Sequence, residues 1–174
     1  MRPLPRALAA LALAAVTASL GACGFTPLYA APGVGPSLSA IQVVAPPGRT
    51  GYLIRERLDD ALVKDRGAPP RYRMNLQLSE SRYPRGLRVD NVATRYEYVL
   101  TAAYTLTALP SGAPAKVGSV RVELTYDSAD QPYASVAAQQ DAQERAADEA
   151  ARRIQLELAV WLATQGAPPA AGAH

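Results

Sequence analysis

The chain holds one cysteine, one histidine, one phenylalanine and one tryptophan among its 174 residues. A single cysteine excludes any disulfide within the chain and any metal site built on paired thiolates. The single histidine, His174, is the last residue, in a terminal stretch that no core is expected to hold. No Gly-x-Ser-x-Gly turn, glycine-rich phosphate loop or Cys/His metal spacing occurs. Asp59-Asp60 are adjacent carboxylates on an amphipathic helical pattern, where a solvated surface accounts for them. Asp127 and Asp130 flank a strand-to-helix turn and read as turn formers and a cap. The chain is therefore read as a non-enzyme with no catalytic residue, no metal and no cofactor. Beyond residue 22 it also lacks the roughly 20 consecutive apolar residues that a membrane span requires.

What is present begins with the setting of that one cysteine. Arg2 and Arg6 precede an uncharged stretch rich in alanine and leucine from Ala7 to Ala18, and Leu20-Gly21-Ala22-Cys23 closes it. A basic start, a short apolar run and small residues at a cleavage point make an export signal. Apolar, small, small, Cys is the lipobox of bacterial lipoproteins, so Cys23 is the expected site of lipidation and residues 1–22 the expected signal peptide. One acyl chain binds a bilayer only marginally, at about 0.8 kcal/mol per buried CH2, so several chains on one residue are needed for a lasting anchor.

Arg2 and Arg6 account for two of the 18 basic residues, so the formal charge falls from +3 to +1 once the signal leaves. No argument for nucleic-acid binding survives that correction. The remaining residues suffice for one domain with its own core. Nine tyrosines against one Phe and one Trp predict aromatic packing whose polar tips find hydrogen-bond partners.

Residues 23–39 carry Pro27, Pro32, Gly33, Gly35 and Pro36 and read as an irregular tether. A single domain is expected over 40–164. Ile41 to Val44 is a short strand candidate, stopped by Pro46-Pro47-Gly48. Ile54, Leu58 and Leu62 recur at helical spacing between Tyr52 and Arg66, with Thr50 as cap and Gly67 as stop. The period then becomes two. Tyr72, Met74, Leu76 and Leu78 alternate with polar residues, and a loop is expected through Pro84-Arg85-Gly86. Tyr96, Tyr98, Leu100, Ala102, Tyr104 and Leu106 form a second, longer half-buried strand. Leu109 to Pro114 is turn chemistry, and Val120, Val122, Leu124 and Tyr126 make a third strand. Short connections make the three an antiparallel meander.

A long helix follows from about Pro132 to Ala163, with Ala146, Ala150, Ile154 and Leu158 as its apolar stripe. Its i,i+4 spacings predict the pairs Asp141–Arg145, Arg145–Glu149, Asp148–Arg152, Glu149–Arg153 and Arg153–Glu157. Residues 165–174 read as a disordered tail, and no internal repeat occurs. The order β-α-β-β-β-α implies an α+β two-layer sandwich, a mainly antiparallel sheet with two helices on one face.

Arginines are the remaining candidates for function. Arg71, Arg73, Arg82, Arg85, Arg88, Arg95 and Arg121 are expected on outward strand positions or in the first hairpin loop. A planar guanidinium suits phosphate or carboxylate. The choice lies between a solvated face with cross-strand pairs, such as Arg121 with Glu97, and a surface for an anionic ligand or a partner around Arg85, Arg88, Arg95 and Arg121.

Cys23-Gly24-Phe25-Thr26-Pro27-Leu28-Tyr29 after the lipobox, Ala93-Thr94-Arg95 opening the long strand, and Tyr133-Ala134-Ser135 with Asp141-Ala142 and Ala146 in the final helix carry a family resemblance. The chain resembles the LptE family of lipopolysaccharide-assembly lipoproteins. That resemblance implies a periplasm-facing outer-membrane lipoprotein that plugs and helps assemble an LptD-like β-barrel and contacts lipopolysaccharide. An auxiliary lipoprotein of another envelope lipid transporter, or an activator of a cell-wall synthase, is the alternative.

Overall fold

The computed structural model describes residues 33–65, 67, 69–87, 93–128 and 131–166. They form an α+β sandwich of helix α1 (Val34–Ser39), strand β1 (Ile41–Val44), helix α2 (Arg49–Ala61), strands β2 (Tyr72–Leu87), β3 (Ala93–Ala108) and β4 (Pro114–Asp127), and helix α3 (Pro132–Gly166). The sheet has the order β1-β2-β3-β4. β1 runs parallel to β2, a pairing that needs the α2 crossover, and the other pairs are antiparallel.

The period-two reading sets the register. Tyr98, Leu100, Ala102, Tyr104 and Leu106 of β3 all face the helices and are buried. Met74 and Leu76 flank them from β2, and Val120 and Val122 from β4. From α3, Ala142, Ala146, Ala150, Ile154 and Leu158 meet this face, all at 0% exposure. Alanines bring the helix backbone close to the sheet, and the larger Ile154 and Leu158 fill the wider end. Tyr104 lies across Gly118 of β4, where a Cβ would overlap its ring. Gly51 plays the same part in α2, whose backbone presses on the Pro46 carbonyl oxygen.

Several boundaries differ from the sequence expectation. The stretch read as irregular tether contains α1, held because Val34 and Leu38 are buried in the core. Gly48, not Thr50, is the N-cap of α2; Thr50 sits inside the first turn and is buried. That helix ends at Ala61 rather than running to Gly67. β2 continues through Pro84-Arg85-Gly86 instead of looping there, pairing Tyr83 with Glu97 and Arg85 with Arg95. Because β1 covers only the first four residues of β2, Pro84 lies on a free edge, where a missing N–H is tolerated. Gly86, at φ 63, takes up the irregularity, and its carbonyl accepts from Thr94 Oγ1 at 2.8 Å. α3 reaches Gly166, so part of the expected tail is helical; 167–174 lie outside the described residues.

The helix pairs are also re-dealt. Asp141–Arg145 and Glu149–Arg153 form, at 2.8 and 2.7 Å. Asp148 instead reaches Arg57 of α2 at 2.9 Å, and Glu157 accepts the Tyr104 hydroxyl at 2.6 Å. Glu149 takes Arg152 as well as Arg153, and the two guanidiniums hold its carboxyl below the usual range.

The long helices α2 and α3 pack on one face of the sheet, and no described element covers the other. Strands of sixteen residues at about 3.3 Å per residue make that open face about 50 Å long.

Candidate functional site on the open sheet face

Odd-numbered strand residues form the open face, and they are mostly polar: Asn75, Gln77, Ser79, Thr105, Arg121, Glu123 and Thr125 are all exposed. Val117, exposed opposite Thr105, is one apolar exception, and Val99 is another. It is buried on the interior strand, opposite Ser81 on one side and Glu123 on the other.

The candidate arginines divide three ways. Arg85 and Arg95 are brought directly opposite each other near the end of the β2–β3 hairpin. Two like charges in register repel, and carboxylates on the same face offset this. Arg85 Nε donates to Glu97 at 2.7 Å, and Arg95 Nε to Asp127 at 2.8 Å. Arg121 stands further along, opposite Thr101, and donates to Glu123 at 2.7 Å rather than to Glu97. The expected Arg121–Glu97 pair fails on register, since Glu97 faces Thr125. Arg88 and Cys23 lie outside the described residues.

Arg82 was expected on the outward set but occupies an even position on the helix side. Its guanidinium stacks 4.7 Å from the Tyr96 ring centre and donates to Gln139 of α3 at 2.8 Å. Tyr96 in turn stacks on Tyr126, with centroids 5.7 Å apart. This cluster fastens the first turns of α3 to the hairpin. Asp59, expected as a solvated carboxylate, is instead largely covered, lying 3.8 Å from Arg55 and 3.6 Å from Lys64 with its Oδ1 buried.

The open face thus carries three arginine–carboxylate pairs with hydroxyl and amide groups between them, and Arg73 on the same face donates to Gln42 at 3.3 Å, so it is not a bare cationic patch. The Arg95–Asp127 and Arg121–Glu123 pairs are exposed, each worth about 0.2–1 kcal/mol to folding, while in the Arg85–Glu97 pair the carboxylate is half-buried. Such pairs can be exchanged for groups on a partner at small cost. Asp127 reads in the sequence as a turn former and Glu97 as the partner of Arg121, whereas they pair with Arg95 and Arg85, and Glu123 is not singled out there at all; the signal for all three is an acidic residue at an odd strand position within reach of an arginine. Among the described residues no group of three His, Cys, Asp or Glu is arranged to hold a metal ion, and no helix is long and apolar enough to cross a membrane.

Comparison with known proteins accords with this architecture. The chain is similar to the crystal structure of a putative lipoprotein from Caulobacter crescentus CB15, with 52% identity and a TM-score of 0.68, covering 78% of this chain and 99% of the other. It is also similar to rare lipoprotein B from Shewanella oneidensis, at 18% identity and a TM-score of 0.56, covering 73% and 97% of the two chains. Lipoprotein B from Nitrosomonas europaea shares the fold at 15% identity and a TM-score of 0.54, over 72% and 84%. No curated protein matches by sequence. The model of the LptE lipopolysaccharide-assembly family matches residues 38–158, from α1 through the packed part of α3, and the chain belongs to that family.

Proposed function

We propose that the protein is an outer-membrane lipoprotein, anchored through Cys23 and facing the periplasm, that fills the lumen of a large LptD-like β-barrel and supports lipopolysaccharide delivery through it. The observation that carries this reading is the open face. It is about 50 Å long, predominantly polar, with arginines paired to carboxylates along it, and covered by no described element. A barrel lumen is itself polar, so a plug needs many modest hydrogen bonds and not an apolar patch.

The fold also has two distinct ends. α1, the start of β2 and the C-terminal part of α3, where Trp161 meets Tyr72, share one end. The hairpin tip and the start of α3 share the other. From Cys23 to Gly33 the chain reaches at most about 36 Å, so a lipid anchor holds the first end near the bilayer. The hairpin end, with Arg85, Arg95 and Asp127, is then the end that enters the barrel. Arg85 and Arg88 are the groups for lipid A phosphates, Arg85 exchanging Glu97 for the ligand in a contact that weakens with salt. Nothing in this role calls for turnover.

The test is co-purification with the barrel and lipopolysaccharide binding, for Arg95→Glu and for Arg85→Ala/Arg88→Ala. Charge reversal within a desolvated contact costs several kcal/mol, against about 1 kcal/mol or less for losing the exposed Arg95–Asp127 pair in the isolated domain. Arg95→Glu is expected to fold normally by circular dichroism and to lose barrel recovery; the double variant is expected to lose lipopolysaccharide binding. Two folded variants with wild-type recovery and binding would show a face that is merely solvated.

A further inference from the structure

At the anchor end, an open groove of about 600 Å³ lies between α1, the C-terminal end of α2 and α3. Gly35, Pro36 and Leu38 form one wall, Ala61, Leu62 and Val63 the other, and Gln155 closes the floor by donating to the Ala61 carbonyl. The lining is mainly apolar.

Val63 is the telling residue. The amide of Val63 donates to Asp60 O and that of Lys64 to Asp59 O, so α2 ends in a Schellman motif with Val63 at the left-handed position. That position belongs to glycine, yet here a β-branched residue, 77% exposed at the groove rim, holds φ 50. Both the strained backbone and the apolar group in water are unfavourable in an empty groove. Strain of this kind persists where the side chain has a task.

We infer that the groove is the seat of the chain's own segment Phe25–Tyr29, with Val63 closing over it. This segment lies outside the described residues, and its Phe25, Leu28 and Tyr29 are bulky and apolar. The described chain begins at Gly33, two residues before the groove wall at Gly35. Gly33 takes φ 85 where the chain enters α1. Four residues separate Leu28 from Gly33, and the five Cα steps span at most about 18 Å, so the length of chain between them gives the segment the reach to return to the groove. Seating it there shortens the free tether between the lipid on Cys23 and the folded domain.

Two measurements on the chain from residue 23, carrying Cys23→Ser to remove the native thiol, test this. In the first, Leu28→Cys is combined with Val63→Cys, and separately with Tyr52→Cys at the exposed start of α2. Mild oxidation is expected to give an intramolecular disulfide to position 63 and none to position 52. Disulfide-linked dimers would assign the groove to a second copy, and equal crosslinking at both positions would leave the groove without its segment; either result overturns the inference. In the second, Val63→Asn relieves the left-handed strain. It is expected to lower the urea midpoint when Phe25, Leu28 and Tyr29 are present, and to raise it when all three are serine. A rise in both backgrounds refutes the contact.

Discussion

Leu100→Ala set against Thr101→Ala tests the register on which both the core and the open face depend. Leu100 lies at the centre of β3 at 0% exposure, between Glu80 of β2 and Val122 of β4, beneath the helices. Its truncation removes buried carbons and leaves a void that close-packed neighbours on α3 can only partly fill. The loss is about 2–5 kcal/mol. Thr101 projects from the opposite face, between Ser79 and Arg121, with solvent above it. Its truncation gives up β-branching and little else, within the roughly 1 kcal/mol span of strand propensities. Urea titration of the two variants measures the difference directly, provided the slopes agree with wild type so that midpoints report stability. In a thermal scan each kcal/mol moves the midpoint by about 2–4 °C for a domain of this size. Equal losses from the two substitutions would mean that β3 is slipped by one residue, which would turn the arginine ladder toward the helices and remove the proposed site.

Two further outcomes are expected. Mass spectrometry of the N-terminal peptide should find residues 1–22 absent and Cys23 bearing a diacylglyceryl thioether and an N-acyl chain; Cys23→Ala should leave circular dichroism unchanged and release the protein from the membrane, and an unmodified thiol in the purified protein contradicts the lipobox reading. Burial, then the hydrogen bond and charge of Glu157, raise the Tyr104 phenol well above its ordinary value near 10, and burial with Glu80 does the same to Tyr98. A phenol whose pKa is raised on folding stabilises fully below about pH 10 and loses that contribution as pH climbs past it, because the unfolded chain ionises first. The urea midpoint should therefore fall between pH 9 and 11, and fall less steeply in Tyr104→Phe; identical slopes would show that the buried phenol does not drive the alkaline loss.

What the sequence made legible is what one face of one element decides. Alternation in β2, β3 and β4 reports burial on one side, and the Ala146–Ala150–Ile154–Leu158 stripe reports the same for α3. Both needed only a period and a hydrophobic count. Misreadings arose where a local signal met a distant partner. Pro84-Arg85-Gly86 has turn chemistry, yet β3 supplies a pairing partner for Arg85 and Leu87, and β2 runs on. Val34 and Leu38 lie among prolines and glycines that argue against a helix, and their burial against the core outweighs that argument. Asp148 and Glu157 have arginines four residues away in their own helix, but Arg57 on α2 and Tyr104 on β3 take them. Spacing within a helix cannot register a partner on another element.

The arginines follow the same division. That Arg85, Arg95 and Arg121 point away from the helices is a matter of parity, and parity is visible in the chain. Which carboxylate each one meets is a matter of pairing register, which depends on where two hairpins turn. Arg82 shows how narrow the margin is: one position from Ser81 and Tyr83, it lies on the helix side and spends its charge on Tyr96 and Gln139. An arginine there fastens α3 to the hairpin, whereas an arginine at position 85 stays exposed, facing Arg95 across a ladder of exchangeable pairs. Because each pair contributes little to folding, the domain can retain its stability while the ladder is re-paired with a polar lumen or with phosphate. Loss of function from charge reversal on this face should therefore appear without loss of fold, the opposite of what truncation at Leu100 produces.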